Sequence, residues 1–126
     1  MSSGKIEVPY VDVASLNSMV HDEVIQKISN IIKSGNFILG DEVEKFENKF
    51  AELCGTRYSI GVNSGTDALI LSMRSLGIGE GDEVITVPNS FVATASAIAL
   101  LGAKPVLVDV GDDFNIDPMK IEEKIS

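Results

Sequence analysis

Five consecutive small or polar residues, Asn63-Ser64-Gly65-Thr66-Asp67, stand where strand-like character gives way to helical spacing. A glycine at a helix start lets the backbone come close to a guest. The first-turn amides of a helix carry partial positive charge and have no carbonyl of their own. A phosphate suits such a turn, with the hydroxyls of Ser64 and Thr66 beside it. The same residues also suit an ordinary capped helix in which Ser64 satisfies its own amides, and local spacing leaves the two readings even. The turn is neither Gly-x-Gly-x-x-Gly nor a Walker loop with its lysine, so it gives no support to a dinucleotide or ATP site.

A second loop, Pro88-Asn89-Ser90-Phe91, puts an aromatic at another helix start. The Phe91 ring there either stacks on a planar ligand or fills the core, and the residue type alone favours the core. Asp109, after a further apolar run, is read as binding loop amides. His21 is off its helix's apolar stripe and has no second His or Cys near it, so no metal site is expected. Cys54, beside Gly55, is expected as a small buried hydrophobe, and Glu80, Asp82 and Glu83 as a solvated turn.

These loops need elements to position them. Apolar residues Val20, Val24, Ile28, Ile31 and Ile32 step by three and four, which predicts a helix ending near Ser34-Gly35. Asp41 and Glu44 have capping-box spacing, with Asp41 as N-cap of a helix that runs through Val43, Phe46, Phe50 and Leu53 to Gly55. Beyond it the spacing predicts strand 57–62, helix 65–76, strand 83–87, helix 91–101 and strand 105–110. Short apolar runs such as Val106-Leu107-Val108 suit strands covered on both faces of a parallel sheet. Asp117 and Pro118 open one more helix, as N-cap and first-turn residue. The first 17 residues show no sustained period and read as an arm, residues 18–55 as helices, and residues 56–126 as an incomplete strand–helix series.

In a chain of 126 residues with 44% hydrophobic and 23% charged residues, wholesale disorder is excluded. The net charge of −9 repels phosphate backbones, so nucleic acid is not an expected partner and any phosphate must be gripped locally. One cysteine excludes an internal disulfide and a multi-cysteine zinc site. The most apolar stretch, residues 91–103, is broken by Thr94, Ser96 and Gly102, and the amino terminus lacks a signal-peptide core. A cytoplasmic protein without a membrane span is the expectation.

Read in order, Gly35-Asn36-Phe37-Ile38-Leu39-Gly40, Phe46-Glu47, Asn63-Ser64-Gly65-Thr66-Asp67-Ala68-Leu69, Gly79-Glu80-Gly81-Asp82-Glu83-Val84-Ile85, Phe91-Val92-Ala93-Thr94-Ala95 and Gly102-Ala103-Lys104-Pro105-Val106-Leu107-Val108-Asp109 closely resemble the amino-terminal part of the DegT/DnrJ/StrS-type sugar aminotransferases. The resemblance covers the chain from about Val8 onward. It implies an α/β, aspartate-aminotransferase-like fold (PLP fold type I), a three-layer αβα domain with a mainly parallel sheet, present only in part. It implies a pyridoxal 5'-phosphate (PLP) cofactor, with Gly65, Thr66 and Asp67 offering amides to the phosphate beside Ser64, and Phe91 stacking on the ring. Phe37, Ile38, Leu39 and Gly40 match a segment that approaches the active site across a dimer interface. The implied reaction moves an amino group, typically from glutamate, to a keto group on a nucleotide-linked sugar, in a homodimer.

PLP-dependent amino transfer needs a lysine amine. None of the eight lysines is placed by sequence at a carboxyl-end loop: Lys104 precedes its strand, Lys27, Lys33, Lys45 and Lys49 flank the helical stripes, Lys5 is in the arm, and Lys120 and Lys124 are in the last helix. The expectation is an amino-terminal portion of a longer enzyme, without a catalytic residue of its own and inactive alone. A sugar dehydratase of the same family, or a non-catalytic phosphate-binding or regulatory fragment, are the alternatives.

Overall fold

Asp12 sets the first helix boundary. Its carboxylate accepts hydrogen bonds from Ser15 N at 3.0 Å and Ser15 Oγ at 2.6 Å, which caps α1 (Val13–Ser18) and holds the Asp12 carboxyl below its ordinary range. This helix begins within the span read as an arm; six residues are too few for a visible apolar period, and the cap sets the helix instead. The computed structural model describes residues 9–126; the part of the expected arm before them, Lys5 included, lies outside the described residues. The chain divides into two units, one ending at Ser59 and the other spanning Ile60–Ser126.

In the first unit, α2 (His21–Ser34) follows the predicted stripe and ends at Gly35, whose φ of 73° is left-handed. α3 (Asp41–Cys54) ends the same way at Gly55, with Thr56 N donating to Ala51 O at 3.0 Å. The predicted capping box does not form. Gly40, extended at φ −80° and ψ 177°, is the N-cap, and Asp41 is already helical. Asp41, Glu42 and Glu44 thus all lie in the first turn, where they complement the helix dipole rather than cap it. Glu42 accepts from Lys27 of α2 at 3.1 Å and from Lys45 at 2.9 Å, and these lysines, Lys45 first, lower its carboxyl's affinity for a proton. Phe46 and Phe50 meet with ring centroids 5.6 Å apart.

In the second unit, α4 (Gly65–Ser75) leads through a glycine-rich turn into β1 (Glu83–Thr86), and α5 (Ala93–Leu100) into β2 (Lys104–Leu107). The strands pair in parallel, from Glu83↔Lys104 to Thr86↔Leu107. Within α5 every residue but Thr94 and Ser96 is Ala, Ile or Leu, so the helix packs on α4 and on both strands at once. Ala97, Ile98, Leu101, Ala103 and Val108 are buried there. Cover over the sheet is incomplete, since Leu107 is exposed. At the amino edge Glu83 accepts from Lys104 at 2.6 Å and from Ser126 Oγ at 3.2 Å, and Asp82 accepts from Gly79 N at 2.8 Å, so this acidic turn is structural rather than merely solvated.

Two further predictions change. Residues 57–62 form no strand among the described residues, and Ile60 is exposed. The last helix is two 3-10 turns, Pro118–Lys120 and Glu122–Lys124, although Asp117 caps the first as expected by accepting from Met119 N at 3.0 Å. Among the described residues no helix is long and apolar enough to cross a membrane.

Candidate active site

Short turns join α4 to the amino end of β1 and α5 to the amino end of β2. Each helix therefore points its own N-terminus toward the carboxyl ends of the strands, where loops in an open parallel sheet gather ligands. By this connectivity, residues 63–67, 88–92 and 109–117 are the loops assigned to that edge.

At the first of these, Ser64 is extended (φ −160°, ψ 165°) and its Oγ accepts from Asp67 N at 3.1 Å. Asn63 Nδ2 donates to Asp67 Oδ2 at 2.9 Å, and Ala68 N to Ser64 O at 3.0 Å. The capping reading of Ser64 thus holds, and it occupies the Asp67 amide. The amides of Gly65 and Thr66 come before the first ladder bond and have no carbonyl of their own in the helix. A Cβ built on Gly65 would meet nothing within 4 Å, so the backbone there is open to approach. Two ladder-free amides on a positive dipole end can hold an oxyanion.

Phe91 lies just before α5 with its side chain out: the residue is 78% exposed, and the core alternative is excluded for the described residues. Before it, Ser90 Oγ and Thr94 Oγ1 are 3.1 Å apart. Asn89 Nδ2 donates to Phe114 O at 3.1 Å, tying the loop after β1 to the loop after β2. In the sequence Asn89 carries no signal beyond an amide side chain in a strand-end loop. Asp109 Oδ1 accepts from Val110 N at 2.9 Å, the loop role expected of it. Lys120 departs from expectation, because its amine reaches to 3.8 Å from Asp109 and 3.7 Å from Asp117. It lies at this edge, engaged with two carboxylates.

The segment Phe37-Ile38-Leu39-Gly40 belongs to the first unit, with all three large side chains exposed. Leu39 takes a left-handed φ of 49°, and a Cβ on Gly40 would come 3.0 Å from Asn36 O, so only glycine fits without a shift. The loop is thus a tight turn that displays apolar side chains. Cys54 is exposed rather than buried, since at the last turn of α3 only Ala51 faces inward. His21 is exposed, 3.0 Å from Asp22.

Residues 18–126 match the DegT/DnrJ/EryC1/StrS aminotransferase family. The chain is 47% identical over 120 residues to dTDP-3-amino-3,6-dideoxy-alpha-D-galactopyranose transaminase of Aneurinibacillus thermoaerophilus, covering 94% of this chain and 33% of that protein. Streptomyces venezuelae DesV, solved in complex with a ketimine intermediate, superposes with a TM-score of 0.93 at 39% identity over 97% of this chain and 33% of its own. The Bacillus subtilis protein solved with bound cofactor PMP gives a TM-score of 0.89 at 37% identity over 100% of this chain and 30% of its own. The chain thus spans about a third of the length of these relatives. Its fold is the aspartate-aminotransferase-like α/β fold (PLP fold type I) that the sequence resemblance implied, here with a two-stranded parallel sheet among the described residues. From sequence match and superposition together, the chain belongs to the DegT/DnrJ/EryC1/StrS aminotransferase family.

Proposed function

We propose that this chain is the cofactor-seating part of a PLP-dependent enzyme that transfers an amino group, with glutamate as donor, to the keto group of a nucleotide-linked sugar. The observation that carries the reading is the open first turn of α4, where Gly65 and Thr66 present ladder-free amides beside an unobstructed backbone. When bound, PLP supplies the electron sink for amino transfer. The residues here hold and orient it. Gly65 and Thr66 donate their amides to the phosphate, with the N-terminal dipole of α4 offsetting the −9 net charge locally. Ser64 and Asp67 act one step back, fixing the turn through their own hydrogen bond rather than giving all their donors to the phosphate. Phe91 offers a ring face to the pyridine plane, which fixes its orientation and keeps water from that face.

Residues 56–126 are the first part of the cofactor domain and residues 18–55 its leading helices, with Phe37, Ile38, Leu39 and Gly40 as a substrate or dimer-interface turn. A cytoplasmic homodimer completes the reading. The lysine that anchors PLP is not among residues 1–126, and this chain alone does not turn over. Titration of the intact protein with PLP, followed by visible absorbance and circular dichroism and then borohydride reduction with peptide mapping, tests this. Saturable binding with no reduced adduct on these eight lysines is expected. Lack of binding, or an adduct on Lys120, overturns it.

A further inference from the structure

We propose that Asn89 is a positioning residue that holds the Phe91 ring in its stacking orientation, by latching the loop after β1 to the loop after β2. The proposal rests on the reading of Phe91 given above. It begins with the rigidity of the second loop. Val110 and Ile116 form an antiparallel bridge, closed by Gly111 N to Asn115 O at 2.9 Å and Asp117 N to Asp109 O at 3.2 Å. Asp113 accepts from both Asn115 N at 3.1 Å and Asn115 Nδ2 at 3.0 Å. Phe114, at the tip, has a left-handed φ of 62°, unusual for a bulky residue, and its amide donates to Gly111 O at 3.0 Å. This loop is a hairpin fixed by its own bonds, and its strained tip offers a carbonyl to Asn89.

The first loop has few bonds of its own. Asn89 reaches the hairpin tip at 3.1 Å, and Ser90 reaches Thr94 in the first turn of α5 at 3.1 Å. The two residues before Phe91 are thus pinned on opposite sides, to a hairpin and to a helix, while the ring itself is left exposed. A single exposed side-chain bond adds little to stability. Its effect falls on geometry, since a ring already held in its binding orientation loses less freedom when a ligand plane arrives.

Four versions of the intact protein test this: wild type, Asn89→Asp, Phe91→Ala and the double variant. Asn89→Asp keeps the side-chain shape but replaces the donor with an acceptor facing the Phe114 carbonyl. PLP titration and amide hydrogen exchange are read on each. Asn89→Asp is expected to weaken PLP roughly three- to tenfold, the worth of one hydrogen bond. It is expected to speed exchange in residues 88–92 and 109–117 while β1 and β2 keep their protection. The double variant should bind no more weakly than Phe91→Ala alone, because the latch acts through the ring. Additive losses overturn the proposal, as does Asn89→Asp binding and exchanging like wild type while Phe91→Ala weakens PLP. Lost protection across β1 and β2 overturns it too, since Asn89 would then be a general fold contact. Wild-type affinity in Phe91→Ala sinks the stacking reading itself, and this proposal with it.

Discussion

The two units keep their order by different means. In the second, α5 is apolar on nearly every side and packs against α4 and both strands, so burial holds the unit: Ile98 is 1% exposed and Val108, after β2, 2%. In the first, helices with well-formed apolar stripes bury only Ala51 among the described residues, while Ile32 stays 62% exposed. Order there comes from helix ends and exposed charges: the Asp12 cap, left-handed Gly35 and Gly55, and Glu42 between Lys27 and Lys45. A helical period marks the face that wants cover. It does not say what covers it.

That contrast is open to attack by mutation. The largest effect expected is from Ile98→Ala, at about 2–5 kcal/mol in urea unfolding of the 126-residue chain, because a buried side chain leaves a cavity. Ile32→Ala should stay within about 0.5 kcal/mol. Equal costs at the two sites would erase the difference between the units. Next is Gly55→Ala, expected at about 1 kcal/mol in thermal or urea unfolding. An added Cβ meets nothing within 4 Å there, so the cost is the left-handed φ of 63° alone, and a neutral result would mean that this helix end does not hold the first unit.

The smallest effects are electrostatic, one in each unit. Lys104, then Ser126, lowers the Glu83 pKa, and Lys45, then Lys27, lowers that of Glu42. A carboxyl whose folded pKa is depressed contributes stability above its unfolded pKa and loses it as pH falls through the folded value. The ordinary value is 4.5 for both, so Glu83→Gln and Glu42→Gln should each be slightly less stable than wild type at pH 7. The gap should close once the pH is well below that value. A gap that widens in acid would reverse the sign of this account. Both groups are exposed, so added salt should shrink the gap at pH 7.

Sequence made the local decisions of both units legible, because period, caps and glycine stops are written in neighbouring residues. α2 to α5 fall close to their predicted spans, with Gly35 and Gly55 as stops and Ser64 and Asp117 as caps. What depends on distant partners was not legible. Residues 57–62 have strand composition but form no strand among the described residues, Asp41 yields the cap to Gly40, and the Lys120 amine reaches a loop eleven residues before it. At the candidate site, position at the strand ends was foreseen, but the division of labour was not. Ser64 spends its oxygen on Asp67, which leaves Gly65 and Thr66 as the open donors, and Asn89 acquires a partner only through the hairpin at Phe114.

The central claim, that main-chain amides at the start of α4 seat the phosphate of PLP, is tested most directly by Gly65→Pro. Proline is favoured at the first helical position, the extended Ser64 before it is compatible with a following proline, and the space around Gly65 is empty. The substitution therefore removes one N–H while leaving the helix intact. In PLP titration of the intact protein the account predicts unchanged unfolding and roughly ten- to hundredfold weaker binding, the worth of one hydrogen bond to a charged group. Wild-type affinity in a folded Gly65→Pro variant would contradict it.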